Sequence, residues 1–556
     1  MLIAMATSAP FSAQKRKLSG AHYTPGRLAG FVAARISDYD LGNNPRILDP
    51  AVGDGELLAA ILRERNGICD VTGFDTNPSA VVFTTDRLEN EFPAASITIQ
   101  NRDFLEIALT HRLDDLFSLP QEYDGVIANP PYVRTQVMGA LRAQEIAQLF
   151  ALSGRVDLYF AFIEGIAAVL RPGGIAGIIV SNRFMTTKAG KVVRERILEN
   201  FDVLHVWDLG DTKLFEAAVL PAVLLLRKKN RHTATASNFT CIYSAPGMPT
   251  VKASDPIDAI SKSGLVSVGQ SVFNVRHGLL NHSPGSEGVW RIATEKGDDW
   301  LAKVHANTFC TFGDLGKIRV GVKTTADKVF IREQWPSDDR PELLRRLLTH
   351  KNARRYKSLP ANREILYPHE TRNGKKFPVD LEKFPVSARY LTEHRATLES
   401  RRYVIDAGRH WFEIWVPQNP SAWALPKLVF PDISEKPNFW MSLENEVVNG
   451  DCYWLVVPPE KLDLLWLALA VANSTFIEAF YDHAFNNKLY AGRRRFMSQY
   501  VEKFPIPDPE TPLAKRILKT VKHIYQILPS TEADGLAIIL DSEVQLAFGV
   551  GEEFER

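Results

Sequence analysis

The sequence predicts an α/β domain with a mostly parallel, seven-stranded sheet, followed by a second domain of mixed α+β structure. Three observations support this fold class. About the first 230 residues alternate short apolar runs with amphipathic segments, as in a parallel sheet covered by helices on both faces. Beyond about residue 300 the chain becomes richer in Trp, Tyr and Pro, and its strand-like runs are short. The chain of 556 residues is also longer than one ordinary hydrophobic core organises.

The elements of the first domain, residues 1–235, follow from its apolar runs. Apolar side chains at helical spacing between Leu57 and Leu62 indicate one helix. A second helical stripe extends from Tyr159 to Leu170 and stops at Arg171-Pro172-Gly173-Gly174, which is a strong terminator. The seven strand candidates are Arg46 to Leu48, Val71 to Phe74, Ile97 to Ile99, Val126 to Ala128, Ile175 to Val180, Val203 to Trp207 and Ala222 to Leu226.

Residues 236–300 are rich in Ser, Thr, Gly and Asn and only weakly periodic, so we expect them to bridge the first domain and a second one at 301–556. In the second domain, short apolar runs predict strands and two longer segments predict a helical end. The strand candidates are Lys317 to Val322, Lys427 to Phe430 and Tyr453 to Val457, and the helix candidates are Leu462 to Ala479 and Pro512 to Leu528.

The formal charge of the chain is nearly balanced, at +1, which excludes a uniformly basic protein. Cationic residues are concentrated between Pro341 and His410, where sixteen Lys or Arg stand against eight Asp or Glu. Such a run is commonly a solvated face, and a nucleic-acid surface is the alternative. The four cysteines have neither metal-site nor disulfide spacing, and no apolar stretch reaches the length of a membrane span. We therefore expect a cytoplasmic protein without a metal or a membrane segment.

The most informative motif is Asn129-Pro130-Pro131-Tyr132, which directly follows the apolar run ending at Ala128. The two prolines fix their φ angles and lack N–H groups, so the carbonyl groups of Asn129 and Pro130 are not consumed by a continuing sheet. The Asn129 side chain adds another acceptor, and Tyr132 adds a flat ring. The motif therefore fits a planar amino group, whereas a strand that simply ends in a Pro-Pro turn is the alternative explanation.

A second motif, Leu48-Asp49-Pro50-Ala51-Val52-Gly53-Asp54-Gly55-Glu56-Leu57, lies between the first strand and its helix. Gly53 and Gly55 allow the backbone to approach a ligand closely. The spacing differs from that of a dinucleotide fingerprint, and the carboxylates of Asp49 and Asp54 would repel a pyrophosphate. A cationic or amino-bearing ligand therefore fits this loop better.

Two further strand ends carry acids. Asp75 ends the second strand, where it can accept hydrogen bonds from ribose hydroxyl groups, and Asp103 follows the third strand with Phe104 as a ring to pack on a base. Each acid alone is equally well explained as a helix cap. The carboxyl ends of successive parallel strands, however, converge in one crevice. A ligand with an amino group, a ribose and an adenine but no phosphate is S-adenosylmethionine, the cofactor that we expect.

With these motifs the chain resembles the gamma-class N6-adenine DNA methyltransferases of restriction-modification systems. The resemblance implies a Rossmann-like class I S-adenosylmethionine-dependent domain followed by a target-recognition domain. Tyr23-Thr24-Pro25 is similar to the family's N-terminal cofactor motif, and Ala51 lies in its cofactor loop. Phe215, within a later family motif, inherits a role in stacking on the target base together with Tyr132.

The second half of the chain is similar, more loosely, to the recognition half of such enzymes. The similar segments are 317–324, 426–434 and 492–496. On this basis the expected DNA contacts are Lys323, Lys427, Arg493, Arg494 and Arg495. For the three arginines, a solvated loop is an equally good explanation.

The resemblance implies methyl transfer to the N6 amino group of a flipped-out adenine in double-stranded DNA, with Asn129 and Pro130 accepting hydrogen bonds from that group. Neither a strong general base nor a metal is expected. The expected setting is a bacterial or archaeal cytoplasm, with a separately encoded restriction endonuclease as a possible partner.

Three alternatives remain beside this interpretation. The same tetrapeptide suits methyltransferases of RNA guanine or protein glutamine, which also present planar amino groups, but the long second half favours a duplex-reading domain. A methyltransferase subunit of a larger restriction complex, or a DNA-binding subunit without catalysis, is the second alternative. A fused nuclease is the third, and we expect none at the front because some twenty residues precede the first cofactor motif.

Overall fold

The computed structural model describes residues 24–113, 122–132, 145, 148–150, 157–215, 220–230, 236–281, 289–335, 337, 339–485 and 493–551. The described chain divides into two compact units, one up to Thr294 and one from Glu295 onward. Each unit has its own apolar cores.

The first unit is built on one large sheet. Its strands are β1 (Arg46–Asp49), β2 (Asp70–Asp75), β3 (Ser96–Asn101), β4 (Tyr123–Ala128), β5 (Leu170–Ser181), β6 (Phe201–Asp208), β7 (Pro221–Lys228), β8 (Asn238–Ser244), β9 (Val251–Ala253), β10 (Gly264–Val268), β11 (Ser271–Asn281) and β12 (Arg291–Ala293). Their order is β3-β2-β1-β4-β5-β7-β6-β8-β11-β10-β9, with β12 paired to β11. From β3 to β5 all neighbours are parallel, and β7 lies antiparallel between β5 and β6. The seven expected strands are thus confirmed.

Helices cover both faces of this sheet. Alternate residues of β4 point to opposite sides, so that Val126 and Ala128 belong to one core and Ile127 belongs to the other. The helices of the first unit are Gly26–Ser37, Glu56–Glu64, Pro78–Glu91, Phe104–Leu113, Leu158–Val169, Lys191–Asn200 and Pro256–Ala259. Both helices expected in the first domain are among them. The second of these ends one residue before its expected end, and β5 begins at the next residue.

The segment 236–300 differs from the expected bridge. Strands β8 to β12 extend the large sheet, and β8 pairs in parallel with β6. Part of β11 alternates buried and exposed residues, as in a strand with one face toward solvent. These strands therefore lack a continuous apolar run, and the Ser, Thr, Gly and Asn content of the segment made paired strands look like a linker.

The second unit contains several small sheets and a helical end. Its strands are β13 (Cys310–Thr311), β14 (Arg319–Val320), β15 (Ile331–Arg332), β16 (Leu344–Leu348), β17 (Arg363–Leu366), β18 (His369–Arg372), β19 (Lys375–Pro378), β20 (Lys427–Pro431), β21 (Ile433–Ser434), β22 (Trp440–Ser442), β23 (Val447–Val448), β24 (Cys452–Val456), β25 (Arg494–Arg495) and β26 (Pro505–Ile506). Its largest sheets among the described residues are two four-stranded ones, β14-β24-β20-β22 and β15-β17-β16-β23. Among the described strands, β18 and β19 pair only with each other, and we call them the 369–378 hairpin.

The described helices of the second unit range from short ones along its length to long ones near its end. They are Glu295–Ala306, Phe312–Leu315, Asp327–Phe330, Pro385–Glu393, Arg395–Glu399, Arg402–Asp406, Leu462–Ala472, Thr475–Phe485, Ser498–Val501, Pro512–Ile527 and Thr531–Ala547. The expected helix over 462–479 is divided at Asn473, whose side chain bonds both the N–H and the C=O of Phe439. Within the described residues no single helix is long and apolar enough to span a membrane, and the one pair that passes together is bent by 80°.

Candidate active site

Polar side chains converge where four neighbouring strands end. Asp49 ends β1, Asp75 ends β2, Asp103 follows β3, and Asn129 follows β4. Because β3, β2, β1 and β4 are parallel neighbours, their carboxyl ends lie at the same edge of the sheet. The structure therefore brings together at one edge the acids and the tetrapeptide that the sequence singled out.

The loop after β1 has a conformation that depends on glycine. Gly53 and Gly55 have φ angles of 54° and 79°, which other residues rarely adopt. A Cβ atom on Gly55 would also lie 2.6 Å from the side chain of Thr84. The loop is thus held tightly against the helix Pro78–Glu91, and its backbone is left open to the sheet edge.

Two residues of that helix fix the loop and were missed in the sequence. The Thr84 hydroxyl donates to the Gly53 carbonyl oxygen at 2.8 Å, and the Arg87 guanidinium donates to the Asp54 carbonyl oxygen at 2.9 Å. Arg87 also pairs with Glu56. Thr84 is fully buried, a polar residue on the inner face of an amphipathic helix, and that position was the signal available in the sequence.

Asp49 carries an unusual carboxyl group at this loop. Its Oδ1 accepts a hydrogen bond from the Ala51 N–H at 3.0 Å, whereas its buried Oδ2 has no hydrogen-bond partner among the described residues. Burial raises the pKa of Asp49 to about 8, and the nearby carboxylates of Asp75 and Asp54 add to the rise. Ionising this buried acid without a counter-charge is costly, and an incoming ammonium group would supply that charge.

The remaining cofactor residues are placed as follows. Asp75 Oδ2 accepts from the Gly53 N–H at 3.0 Å, which ties the second strand end to the loop, and burial raises its pKa. Asp103 Oδ1 accepts from the Leu105 N–H at 2.9 Å at the start of a helix. Phe104 is 2% exposed and packs on Phe74 and Phe162, so its ring lies in the core. This packing does not support the expected contact of Phe104 with a base.

The tetrapeptide is organised by hydrogen bonds. Asn129 Nδ2 donates to Thr24 Oγ1 at 3.0 Å, and the Tyr132 hydroxyl donates to Asn129 Oδ1 at 3.0 Å. The amide of Asn129 is therefore oriented from both ends, and Pro130 and Pro131 follow it at the strand end. Tyr132 is half-buried against Tyr159, with ring centroids 6.2 Å apart, and burial raises its pKa.

Another expected site residue, Phe215, does not stand in the cluster. Phe215 is buried, at 8% exposure, in the core on one face of the sheet. Its placement does not present the ring for base stacking, and the next four residues lie outside the described ones. Tyr23 also lies outside the described residues, whereas Thr24 and Pro25 are described and Thr24 contacts the tetrapeptide.

The expected DNA contacts have different surroundings. Lys427 is fully buried, and its ammonium donates to the carbonyl oxygens of Trp423 and Glu444, so it is a core residue and not a surface cation. Burial lowers its pKa to about 8. A lysine at the start of an apolar run gave no sign of these carbonyl partners. Lys323 is exposed and keeps its expected role as a proposal.

The three arginines at positions 493–495 also differ in their surroundings. Arg494 forms a bidentate pair with Asp482, at 2.9 and 2.8 Å, and Arg495 pairs with Asp432 at 3.0 Å. These two guanidinium groups are engaged within the unit, which does not support their expected DNA contacts. Arg493 is exposed.

A buried network near the site was missed in the sequence. Asn182 follows β5 and donates to Asp208 at 2.9 Å, and the Tyr243 hydroxyl donates to the same carboxylate at 2.6 Å. Burial raises the pKa of Asp208. This network joins the ends of β5 and β6 to β8. Among the described residues no group of His, Cys, Asp or Glu is arranged to hold a metal ion.

Comparisons with known proteins agree with this geometry. Residues 68–215 match the Eco57I restriction-modification methylase family. The chain is 38% identical to the type II methyltransferase M.BanIII of Aneurinibacillus aneurinilyticus, over 96% of this chain and 98% of that protein. It is 25% identical to the type II methyltransferase M.PaeR7I of Pseudomonas aeruginosa, over 90% and 88% of the two chains.

The complex of DrdV with DNA, solved by cryo-electron microscopy, is a structural neighbour with a TM-score of 0.52 and 11% identity. It covers 94% of this chain and 61% of that one, and at this identity the likeness concerns the fold alone. The fold is that of the class I S-adenosylmethionine-dependent methyltransferases. The chain belongs to the type II DNA methyltransferases of restriction-modification systems. Its substrate is DNA.

Proposed function

We propose that this enzyme methylates the exocyclic N6 amino group of adenine in double-stranded DNA. The observation that carries the proposal is Asn129, whose amide is held by Thr24 and Tyr132 at the end of β4. An oriented amide oxygen and the neighbouring Pro130 carbonyl are acceptors for the two hydrogens of one planar amino group.

The residues of the cofactor loop fit S-adenosylmethionine. The buried, unpartnered Oδ2 of Asp49 provides a place for the ammonium group of the methionine part. Gly53 and Gly55 let the backbone approach the ligand, and Asp75 and Asp103 remain the proposed contacts of the ribose and the adenine. When bound, S-adenosylmethionine supplies an electrophilic methyl group.

Asn129 and Pro130 act on the nucleophile. The lone pair of an adenine amino nitrogen is delocalised into the ring, and two acceptors that bond its hydrogens favour a pyramidal nitrogen with a localised lone pair. An amide oxygen has two lone pairs, so Asn129 Oδ1 can accept from the substrate beside the Tyr132 hydroxyl. The proton that the methylated amino group loses can pass to Asn129 or to water, so no strong base is required.

Tyr132 supports an extrahelical base. Taking adenine out of the duplex costs a few kcal/mol, and stacking on an aromatic ring returns about 1 to 3 kcal/mol. The Tyr132 ring is half-buried against Tyr159, which keeps it in place before the base arrives. The second unit is the proposed target-recognition domain. The proposed setting is a bacterial or archaeal cytoplasm, where methylation protects host DNA from a separately encoded endonuclease.

The test is to incubate the protein with duplex DNA and labelled S-adenosylmethionine and then to digest the DNA to nucleosides. We expect the label in N6-methyladenine. Label in N4-methylcytosine, or no label in the DNA, would overturn the proposal. Asn129→Ala is the matched variant: it should bind the cofactor normally and lose about 10² to 10³ in kcat, the usual cost of removing one preorganised polar contact.

A further inference from the structure

The 369–378 hairpin in the second unit is a rigid, narrow ribbon. Its two strands are joined by the two-residue turn Asn373-Gly374, with φ angles of 49° and 73°. Positive φ at both positions is typical of a type I′ turn, whose twist matches that of the strands. The tip therefore has a defined shape.

The root of the hairpin is anchored to the rest of the unit. His369 is 3% exposed, and its Nε2 accepts a hydrogen bond from the Ile414 N–H at 3.0 Å. The Thr371 hydroxyl donates to Asn419 Oδ1 at 3.2 Å and accepts from the Ser421 N–H at 3.1 Å. A ribbon fixed at its root and free of other described strands is suited to project into a partner.

The tip is exposed, and three of its six residues are cationic. All residues from Arg372 to Phe377 are exposed, including Lys375 and Lys376, which form no salt bridge with any described residue. Because directly paired residues share a face, Glu370, Arg372, Lys375 and Phe377 lie on one face, opposite to His369 and Thr371. Arg372 Nε donates to Glu370 at 2.8 Å, and its guanidinium lies 6.0 Å from the Phe377 ring.

We propose that this hairpin enters a groove of the duplex substrate, with Lys375 and Lys376 on phosphates and Arg372 and Phe377 at base edges. This inference rests on the proposed function, in which the substrate is a duplex. The major groove is about 12 Å wide and admits a two-stranded ribbon. The exposed Arg372 can donate to guanine, and Phe377 can contact a thymine methyl group.

The composition of the outer face favours base reading over a simple phosphate clamp. A clamp needs only cations, whereas this face also carries the carboxylate of Glu370 and an exposed aromatic ring. Arg372 pairs with Glu370 on the surface, where the two side chains are 52% and 39% exposed, so the guanidinium can exchange this weak pair for a base edge, unlike the buried pair of Arg494. The two lysines then position the ribbon, and Arg372 with Phe377 supplies selectivity.

The experiment compares three forms of the full chain: the wild type, Lys375→Ala/Lys376→Ala, and the control Lys515→Ala/Lys519→Ala. The control removes two exposed lysines from the helix Pro512–Ile527. DNA affinity is measured at several salt concentrations on a duplex that carries the sequence methylated by the wild type. Each lost phosphate contact should reduce the slope of log K against log [salt] by about 0.9, so the hairpin variant should lose about 1.8 and the control none.

The second measurement maps the methylated sites by sequencing DNA from cells that express Arg372→Ala or Phe377→Ala. We expect discrimination against one substituted base pair to fall by about 5- to 100-fold at a position that the hairpin reads. If the wild type methylates duplex DNA and the hairpin variants keep both its salt slope and its sites, the hairpin proposal is wrong and the proposed function stands. If the wild type leaves duplex DNA unmethylated, the proposed function itself fails.

Discussion

Asp49 gives the most quantitative prediction, since its protonation should be linked to cofactor binding. The pKa of its buried carboxyl is about 8 without ligand. At pH 7 the group is therefore about nine-tenths protonated, while the α-ammonium group of the cofactor stays charged. If Asp49 must ionise to pair with that ammonium group, binding at pH 7 releases about 0.9 proton, and the affinity rises nearly tenfold for each pH unit between about 5 and 7.

The assay is isothermal titration calorimetry of S-adenosylmethionine binding at pH 7 in two buffers with different ionisation enthalpies. The difference in the observed enthalpies gives the number of protons released. In Asp49→Asn, which removes the titrating group and preserves its size, we expect no release and a flat pH profile. Methylthioadenosine, which lacks the amino acid part, is a matched ligand and should bind the wild type without proton release. Release below about 0.2 proton by the wild type, or equal release by Asp49→Asn, would refute the assignment.

The same shift affects the stability of the ligand-free protein. The folded-state pKa of Asp49 lies above the ordinary value of 3.8, so the folded state keeps a proton that the unfolded chain has released. The folded state is therefore favoured at low pH, and this contribution is lost as the pH rises from about 4 to about 8. Thermal unfolding of Asp49→Asn should show a smaller loss over this range than the wild type.

Three further predictions concern residues whose surroundings are known. Tyr132→Phe should keep the KM for DNA and lower kcat severalfold, because it loses the hydrogen bond that orients Asn129. Tyr132→Ala should instead raise KM about 5- to 100-fold, because stacking on the base is lost. Steady-state kinetics separate these effects, and equal KM values for the two variants would exclude stacking. Gly55→Ala should destabilise the protein by about 2–4 kcal/mol in thermal unfolding, because the positive φ strains the backbone and the new Cβ clashes with Thr84. The control Gly42→Ala has a positive φ but open space around it, and it should cost about 1 kcal/mol. Lys427→Met should leave the salt dependence of DNA binding unchanged, since the buried ammonium contacts only the protein; a reduced slope would restore the surface role.

The sequence was most informative where one short segment carries the site residues and also determines the local backbone conformation. Asn129 and Asp49 each follow an apolar strand directly, so the parallel arrangement of the strands alone predicts that they meet at one edge of the sheet. The glycines at positions 53 and 55 were also predictable, because a tight turn between strand and helix requires them.

Where the structure does not support an expected contact, the cause is that burial depends on partners distant in the sequence. Lys427 and Arg494 are cationic in any sequence pattern, and only the folded chain shows the carbonyl groups and carboxylates that engage them. The ring of Phe104 follows an acid at a strand end, yet it packs into the core because Phe74 and Phe162 surround it. The hairpin lysines, in contrast, stood in the basic run of the sequence with nothing to distinguish them from its other cations.

The large sheet also separates the strands of the proposed active site from a margin that can change. The proposed active site lies at β1 to β4, and the added strands begin at β8, which is four positions away from β4 in the sheet. At about 4.8 Å per strand this spacing is roughly 19 Å. Insertions, deletions or new surfaces can therefore accumulate at the β9 margin without moving Asn129, and the first unit can diversify at one margin while the other stays constant.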